Sequence, residues 1–246
     1  MAACLDARSV LQGGNPIMAD VRSKAERVFT NYLCYKLDPL WRRLPKSERE
    51  VGAKEFREAV QGAMRRMTIR SYLVTGFRED IDFFLWAVSQ EAEPIQELAI
   101  ALYQTGLGAY LQMTDSYFAM MRESPYVRNH INPDLPELGP SKYLVVYPFI
   151  KSREWYLMSF DARQGMMNEH IKVGHEFPTI KINTSYSFGL DDQDFVVAFD
   201  TNSLAEFQEL VMRLRETEAS RYTVRDTPMI VGVAKSLEEI VASVGG

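Results

Sequence analysis

Short runs of alternating apolar and polar residues recur along the chain, separated by stretches in which apolar residues return at helical spacing. Residues 29–36 alternate like a half-buried strand. Residues 68–75 and 82–89 are rich in β-branched and aromatic side chains and flank a Gly/Asp turn, which predicts a hairpin. Between these strands, Ser47 with Glu50 has the spacing of a capping box and predicts a helix to about Ala63. Pro94 suits the first turn of a second helix, and residues 114–121 predict a strand. The same order then returns. Strand 143–150 is followed by helix 157–172, by a hairpin of strands 182–189 and 193–199, by a helix from Ser203 and Glu206 to about Arg215, and by strand 223–232.

The recurrence extends to individual residues. Asp80, Asp82 and Phe83 match Asp192, Asp194 and Phe195 at a constant offset of 112. Ile95-Gln96-Glu97-Leu98 matches Phe207-Gln208-Glu209-Leu210, and Tyr35 matches Tyr147, at the same offset. One offset shared by distant matches indicates an internal duplication. Each half reads β-α-β-β-α-β, the ferredoxin-like order. The expected class is therefore α+β: two tandem ferredoxin-like units forming a β-barrel with outer helices, like a dimeric α/β barrel. The expected divisions are a flexible arm (1–25), an N-terminal unit (26–124), a Pro-rich connector (125–142) and a C-terminal, ligand-binding unit (143–246). Barrels can enclose a ligand, but fold alone does not give function.

Composition narrows the classes. The 246 residues are 46% hydrophobic and 25% charged, as in an ordinary globular protein. A net charge of −5 and a pI near 5.4 argue against nucleic acid or an anionic membrane as the main partner. No apolar run reaches about 18 residues, so no membrane span is expected. Met1 to Pro16 lacks a basic flank before an apolar core, so no secretory signal is expected. Cys4 and Cys34 form no CxxC pair, which disfavours a disulfide framework or zinc site and suits a cytoplasmic setting.

Few residues are placed to do chemistry. His170 shares a helix face with Met166 and Met167, four and three residues before it. It reads either as a buried neutral histidine or as an axial ligand presented into an apolar cavity. Tyr147 and Lys151 stand four apart at a strand end, across Pro148. They read either as a core tyrosine and a solvated lysine or as a redox-active phenol beside a cation that holds a ligand carboxylate. His130 and His175 read as loop residues, and Asp191, Asp192 and Asp194 as hairpin chemistry. No P-loop, G-x-S-x-G, H-E-x-x-H or G-x-G-x-x-G motif is present.

A set of stretches in the second half resembles the chlorite dismutase-like haem protein superfamily. They are Tyr147-Pro-Phe-Ile-Lys151, Glu154-Trp155-Tyr156, Met166-Met167-Asn-Glu-His170 and Ser187-Phe-Gly189-Leu-Asp-Asp192, then Arg215 to Arg221 and Pro228 to Gly232. The resemblance implies an axial haem ligand at His170, fifteen residues after Trp155, and a homo-oligomer, usually a pentamer. It implies a distal residue seven before Gly189, which is Ile182. A one-residue deletion brings Lys181 and Asn183 into contention, and strand parity selects Ile182. An apolar residue there cannot supply the charge that chlorite dismutation uses.

Tyr147 and Lys151 are similar to the radical tyrosine and propionate-binding lysine of the coproheme decarboxylase branch, and His130, seventeen residues before Tyr147, to the loop base of its actinobacterial type. That branch implies oxidative decarboxylation of coproheme to haem b with hydrogen peroxide, so that the iron porphyrin is substrate and redox centre together. It further implies that Arg221 helps to position propionates, that Trp155 and Met167 pack near the haem, and that Glu218 accepts the second N–H of His170. Chlorite dismutation, peroxidase chemistry and non-catalytic haem sensing remain alternatives.

Overall fold

A computed structural model of the chain describes residues 28–127 and 141–245. The arm at 1–25, most of the connector at 125–142 and His130 lie outside the described residues. The first unit contains β1 (Val28–Leu37), α1 (Lys46–Ala63), β2 (Thr68–Leu73), β3 (Phe83–Ser89), α2 (Glu93–Tyr103) and β4 (Leu111–Met121). The second contains β5 (Tyr143–Lys151), α3 (Arg153–Leu157), α4 (Phe160–His175), β6 (Lys181–Tyr186), β7 (Phe195–Thr201), α5 (Leu204–Arg215), β8 (Thr223–Arg225) and β9 (Ile230–Ala234). A last helix, α6 (Leu237–Ser243), follows. Among the described residues no helix is long and apolar enough to cross a membrane.

The strands form one sheet in the order β7-β6-β4-β1-β3-β2-β9-β5-β8, and a further β7–β5 pairing closes it into a barrel with β8 as an appendage. The two units meet where β4 pairs with β6 and β2 with β9. Alternation along each strand divides the side chains between two sides. Tyr32, Trp86, Tyr72, Tyr117, Val146 and Ala198 fill the barrel interior. Gly232 lets β9 close over that interior, because a Cβ there would lie 2.6 Å from both Phe84 Cε1 and Tyr72 Cβ. The opposite faces carry the helices. The first unit's outer face (Leu33, Tyr35, Phe83, Leu85) packs against Phe56 and Val60 of α1, Ile95 and Leu98 of α2, and Ile240 of α6.

Several boundaries differ from the sequence expectation. Helix α1 starts at Lys46 after Pro45, so Ser47 lies inside it and forms no cap. The expected helix 157–172 is two helices, because the Ser159 hydroxyl accepts the Ala162 N–H and starts α4 anew. The expected strand 223–232 is broken into β8 and β9 around Pro228. Ser203 does cap α5 by accepting from Glu206 N. The complete capping box of the described chain is Ser236 with Glu239, at the start of the unforeseen α6.

Candidate functional site

The site grows from the outer face of β5, β6 and β7. Register places Ile182 opposite Phe199 and Phe199 opposite Val145. The next row is Thr184, Val197 and Tyr147, and the next Tyr186, Phe195 and Phe149. Facing residues of neighbouring strands share a side, so these nine form one surface. Helices α4 and α5 cover only part of it. Val173 of α4 and Phe207 and Leu210 of α5 pack with Val145, Tyr147 and Phe199. Toward β6 the cover ends: Ile182 is 47% exposed and Thr184 is exposed. Helix α4 fully buries only Arg163 and Val173, whereas α1 buries Gly52, Ala53, Phe56 and Val60 against the equivalent face. The strand face is thus left open, as a slot, beside α4 on the β6 side.

His170 stands one turn before Val173 and so on the same, sheet-facing side of α4, with half-buried Met166 and Met167 in the turn before it. Its Nδ1 is buried with no hydrogen-bond partner among the described residues. Burial, and then the positive charge of Lys151, push the imidazole down to about 4. It is therefore neutral at pH 7, the form that ligates a metal.

Lys151 ends β5. Its ammonium donates to the Ala219 carbonyl at 2.6 Å and lies 4.6 Å from the Trp155 ring centroid and 5.2 Å from that of Phe149. Burial pushes it down to about 8. Lys151 is thus half-buried and bonded within the protein rather than fully solvated. Tyr147 is buried, stacked on Phe199 at 5.9 Å, and its phenol is raised by burial and by Asp226. Trp155, on α3, is buried beside Tyr222 at 5.7 Å and Tyr126 at 6.4 Å.

A 3-10 turn at Glu218–Tyr222 braces the assembly from below. Its first N–H, that of Glu218, donates to the Glu169 carboxylate at 3.0 Å, next to His170. One expectation changes here. The Glu218 carboxylate does not meet His170: it is exposed and accepts from Arg221 at 2.8 Å, three residues on in the same turn. Arg221 is exposed and donates to Glu218. The structure therefore brings His170, Lys151 and Trp155 together, with Met167 beside His170 on α4, while Tyr147 packs with Val173 and Phe199 in the core between α4 and the sheet. Ile182 sits at the open side of the slot, and Glu218 and Arg221 stand on the outer surface.

Sequence reasoning passed over Asp194. Its Oδ2 accepts from Lys151 N at 2.8 Å and from the Tyr156 hydroxyl at 2.7 Å. The available signal was the Asp82/Asp194 match, which placed an acid at the same hairpin position twice. Asp191, by contrast, does serve its turn, accepting from Asp192 N and Phe118 N. Among the described residues no cluster of histidine, cysteine and carboxylate ligands could hold a metal ion alone. A metal at this site would arrive with its own equatorial ligands and need one imidazole.

Comparison with known proteins shows the family and the fold. The family model described as chlorite dismutase matches residues 49–235. The chain is 32% identical over 172 residues to the coproheme decarboxylase of Mycolicibacterium smegmatis, covering 70% of this chain and 74% of that protein. It is 25% identical over 227 residues to the chlorite dismutase of Ideonella dechloratans, covering 88% and 80%. Among solved structures, a mutant chlorite dismutase from Candidatus Nitrospira defluvii superposes with a TM-score of 0.83 at 25% identity, over 89% of this chain and 96% of that one.

Proposed function

The chain belongs to the chlorite dismutase family, and from that premise we propose that it is an oxidative decarboxylase converting ferric coproheme to haem b with hydrogen peroxide. One observation carries the reading. A neutral imidazole whose buried Nδ1 has no partner among the described residues stands near a half-buried ammonium, at a strand face that also carries the buried Tyr147 and is open beside Ile182. The residues present fit an iron porphyrin. His170 would offer an imidazole nitrogen to the iron, Lys151 a cation for a propionate, and Trp155, Met167 and Ile182 apolar surface for the macrocycle. The 32% identity to a coproheme decarboxylase supports the same substrate.

When bound, the iron porphyrin supplies the oxidising power that peroxide delivers. Two of the four propionates would each lose carbon dioxide and become a vinyl group, and for each one peroxide would take up the two electrons and the protons released and be reduced to water. Tyr147 is the relay: its phenol gives up a proton and an electron, and the resulting oxygen-centred radical takes hydrogen from the propionate. Burial suits Tyr147 to this role, because it keeps the phenol protonated at rest and shields a radical from solvent. Lys151 holds the reacting side chain by a charge-assisted bond. Ile182 supplies no charge or hydrogen bond to an oxyanion, which weighs against chlorite dismutation.

The test is to add ferric coproheme and titrate in peroxide while following products by mass spectrometry. Stepwise loss of two carboxyl groups is expected. Tyr147→Phe should bind coproheme normally and decarboxylate at least about 10³-fold more slowly, a loss in line with removing a group that acts only in the transition state. Full turnover in that variant would refute the relay. Oxygen release from chlorite without coproheme turnover would instead establish the chlorite reading.

A further inference from the structure

Lys151 occupies an awkward place in the backbone. Strand β5 pairs with β7 up to Phe149 opposite Phe195, then continues against β8, with a register shift between Ile150 and Lys151. A strand that bulges as it changes partners leaves a ladder donor unpaired. Here that donor is the Lys151 N–H, and the Asp194 carboxylate takes it at 2.8 Å. The same oxygen, Oδ2, accepts the Tyr156 hydroxyl at 2.7 Å. One carboxylate oxygen thus ties together the β6–β7 hairpin, the last residue of β5 and helix α3, which carries Trp155.

The duplication shows where this clamp came from. Asp82 holds the equivalent place in the first unit, accepting from Leu37 N at 2.9 Å and from Lys36 Nζ at 3.2 Å. In both units the carbonyl of this aspartate also accepts within its hairpin, from Thr75 N at 2.9 Å and from Ser187 N at 2.8 Å. The first copy fastens a strand end to a filled core. The second fastens the one strand-end residue whose ammonium enters the slot, pointing it over Trp155 and at the Ala219 carbonyl.

We infer that Asp194 is the positioning residue for Lys151: its carboxylate fixes the direction of the ammonium and so sets which substrate carboxylates are held. The inference rests on the proposed reading that Lys151 binds a porphyrin carboxylate. Asp194 touches no substrate and acts through the lysine backbone and through Tyr156.

Two ligands separate this role from a merely structural one: ferric coproheme, and the iron complex of coproporphyrin tetramethyl ester, which has the same macrocycle without charged carboxylates. Both are titrated against the wild type, Asp194→Ala, Lys151→Met and the double variant. Asp194→Ala should weaken coproheme binding by about 10-fold, the loss of one charge-assisted hydrogen bond, and change binding of the ester by less than about 2-fold. In the Lys151→Met background Asp194→Ala should have no further effect on coproheme. If alanine prevents folding, Asp194→Asn, which keeps the shape and loses the charge, is expected to weaken coproheme alone by about 3-fold. Equal weakening of both ligands, or an undiminished effect of Asp194 substitution without Lys151, would overturn the inference and leave Asp194 a fold residue. A wild type that binds neither ligand, or binds acid and ester alike, would instead overturn the reading of the slot on which it rests.

Discussion

Lys151→Met should make the ligand-free protein more stable while weakening its hold on coproheme. Burial brings the ammonium from its ordinary 10.5 down to about 8. At about 1.4 kcal/mol per tenfold change, keeping it charged at pH 7 costs the folded state roughly 3 kcal/mol. Methionine has similar length and no charge, so it removes that cost. It also removes the bond to the buried Ala219 carbonyl and the contact with the Trp155 ring, together roughly 1–2 kcal/mol. The balance is a gain of about 1–2 kcal/mol. Its pH dependence is distinctive. Below pH 8 the lysine is charged in both states and the full cost is present. Between about 8 and 10.5 the folded protein has lost the proton while the unfolded chain keeps it, so the wild type gains stability as pH rises. Denaturant melts of both proteins at pH 7 and pH 10 would measure the gap, which should be largest at pH 7 and should shrink at pH 10. A variant less stable than wild type at pH 7, or a gap indifferent to pH, would refute the claim that Lys151 is held at an energetic cost. With ferric coproheme added the order should reverse, since a propionate supplies the missing counter-charge.

Three further outcomes follow from the same structure. Because burial lowers His170 to about 4, protons do not compete with iron for its imidazole above about pH 5, and coproheme affinity should be flat from pH 7, where Lys151 is still charged, to about pH 5.5; a decline already beginning at pH 6.5 in spectrophotometric titrations would show an exposed histidine in its place. Asp200, its side chain inaccessible and only 3.5 Å from Arg70, is raised to about 6 by burial. The carboxylate therefore burdens the fold above pH 6 and not below about 4, and Asp200→Asn should stabilise by about 1–2 kcal/mol at pH 8, a gain that must disappear in melts at pH 4. Gly232→Ala should destabilise by about 2–3 kcal/mol through overpacking against Phe84 and Tyr72, read as a lower denaturant midpoint with unchanged slope.

Strand positions were legible in the sequence because period-2 alternation records burial directly: β1, β5 and β7 fall within a residue or two of their expected bounds. The helical boundaries that went astray depend on competition the pattern does not record. Ser47 and Glu50 have capping-box spacing, but Pro45 lies ahead of them and starts the helix first. Ser159 caps α4 within what reads as one amphipathic run. At the site, Tyr147, Lys151 and His170 were visible as types and spacings. The partners of Lys151 were not, since they come from elsewhere in the chain: Ala219 for its ammonium and Asp194 for its N–H. Asp194 was mistaken for turn chemistry because hairpin acids are usually bonded locally, as Asp191 partly is.

The duplication explains why only one half carries a site. Both outer faces begin with the same pattern of apolar strand residues, and an apolar face must be covered. The first face receives three helices, because α6, at the end of the second unit, crosses back and packs Leu237, Ile240 and Val241 against the core built by α1 and α2. The second face receives α4 and α5 alone, and α4 presents Met166, Met167 and His170 where α1 presents Phe56 and Val60. Ile182 and Thr184 stay exposed as a result. On the proposed reading, a flat apolar macrocycle would cover the exposed Ile182 beside an imidazole whose Nδ1 has no partner among the described residues. Function in this fold is located by where the third helix goes: it closes one copy into a core and leaves the other open on one side.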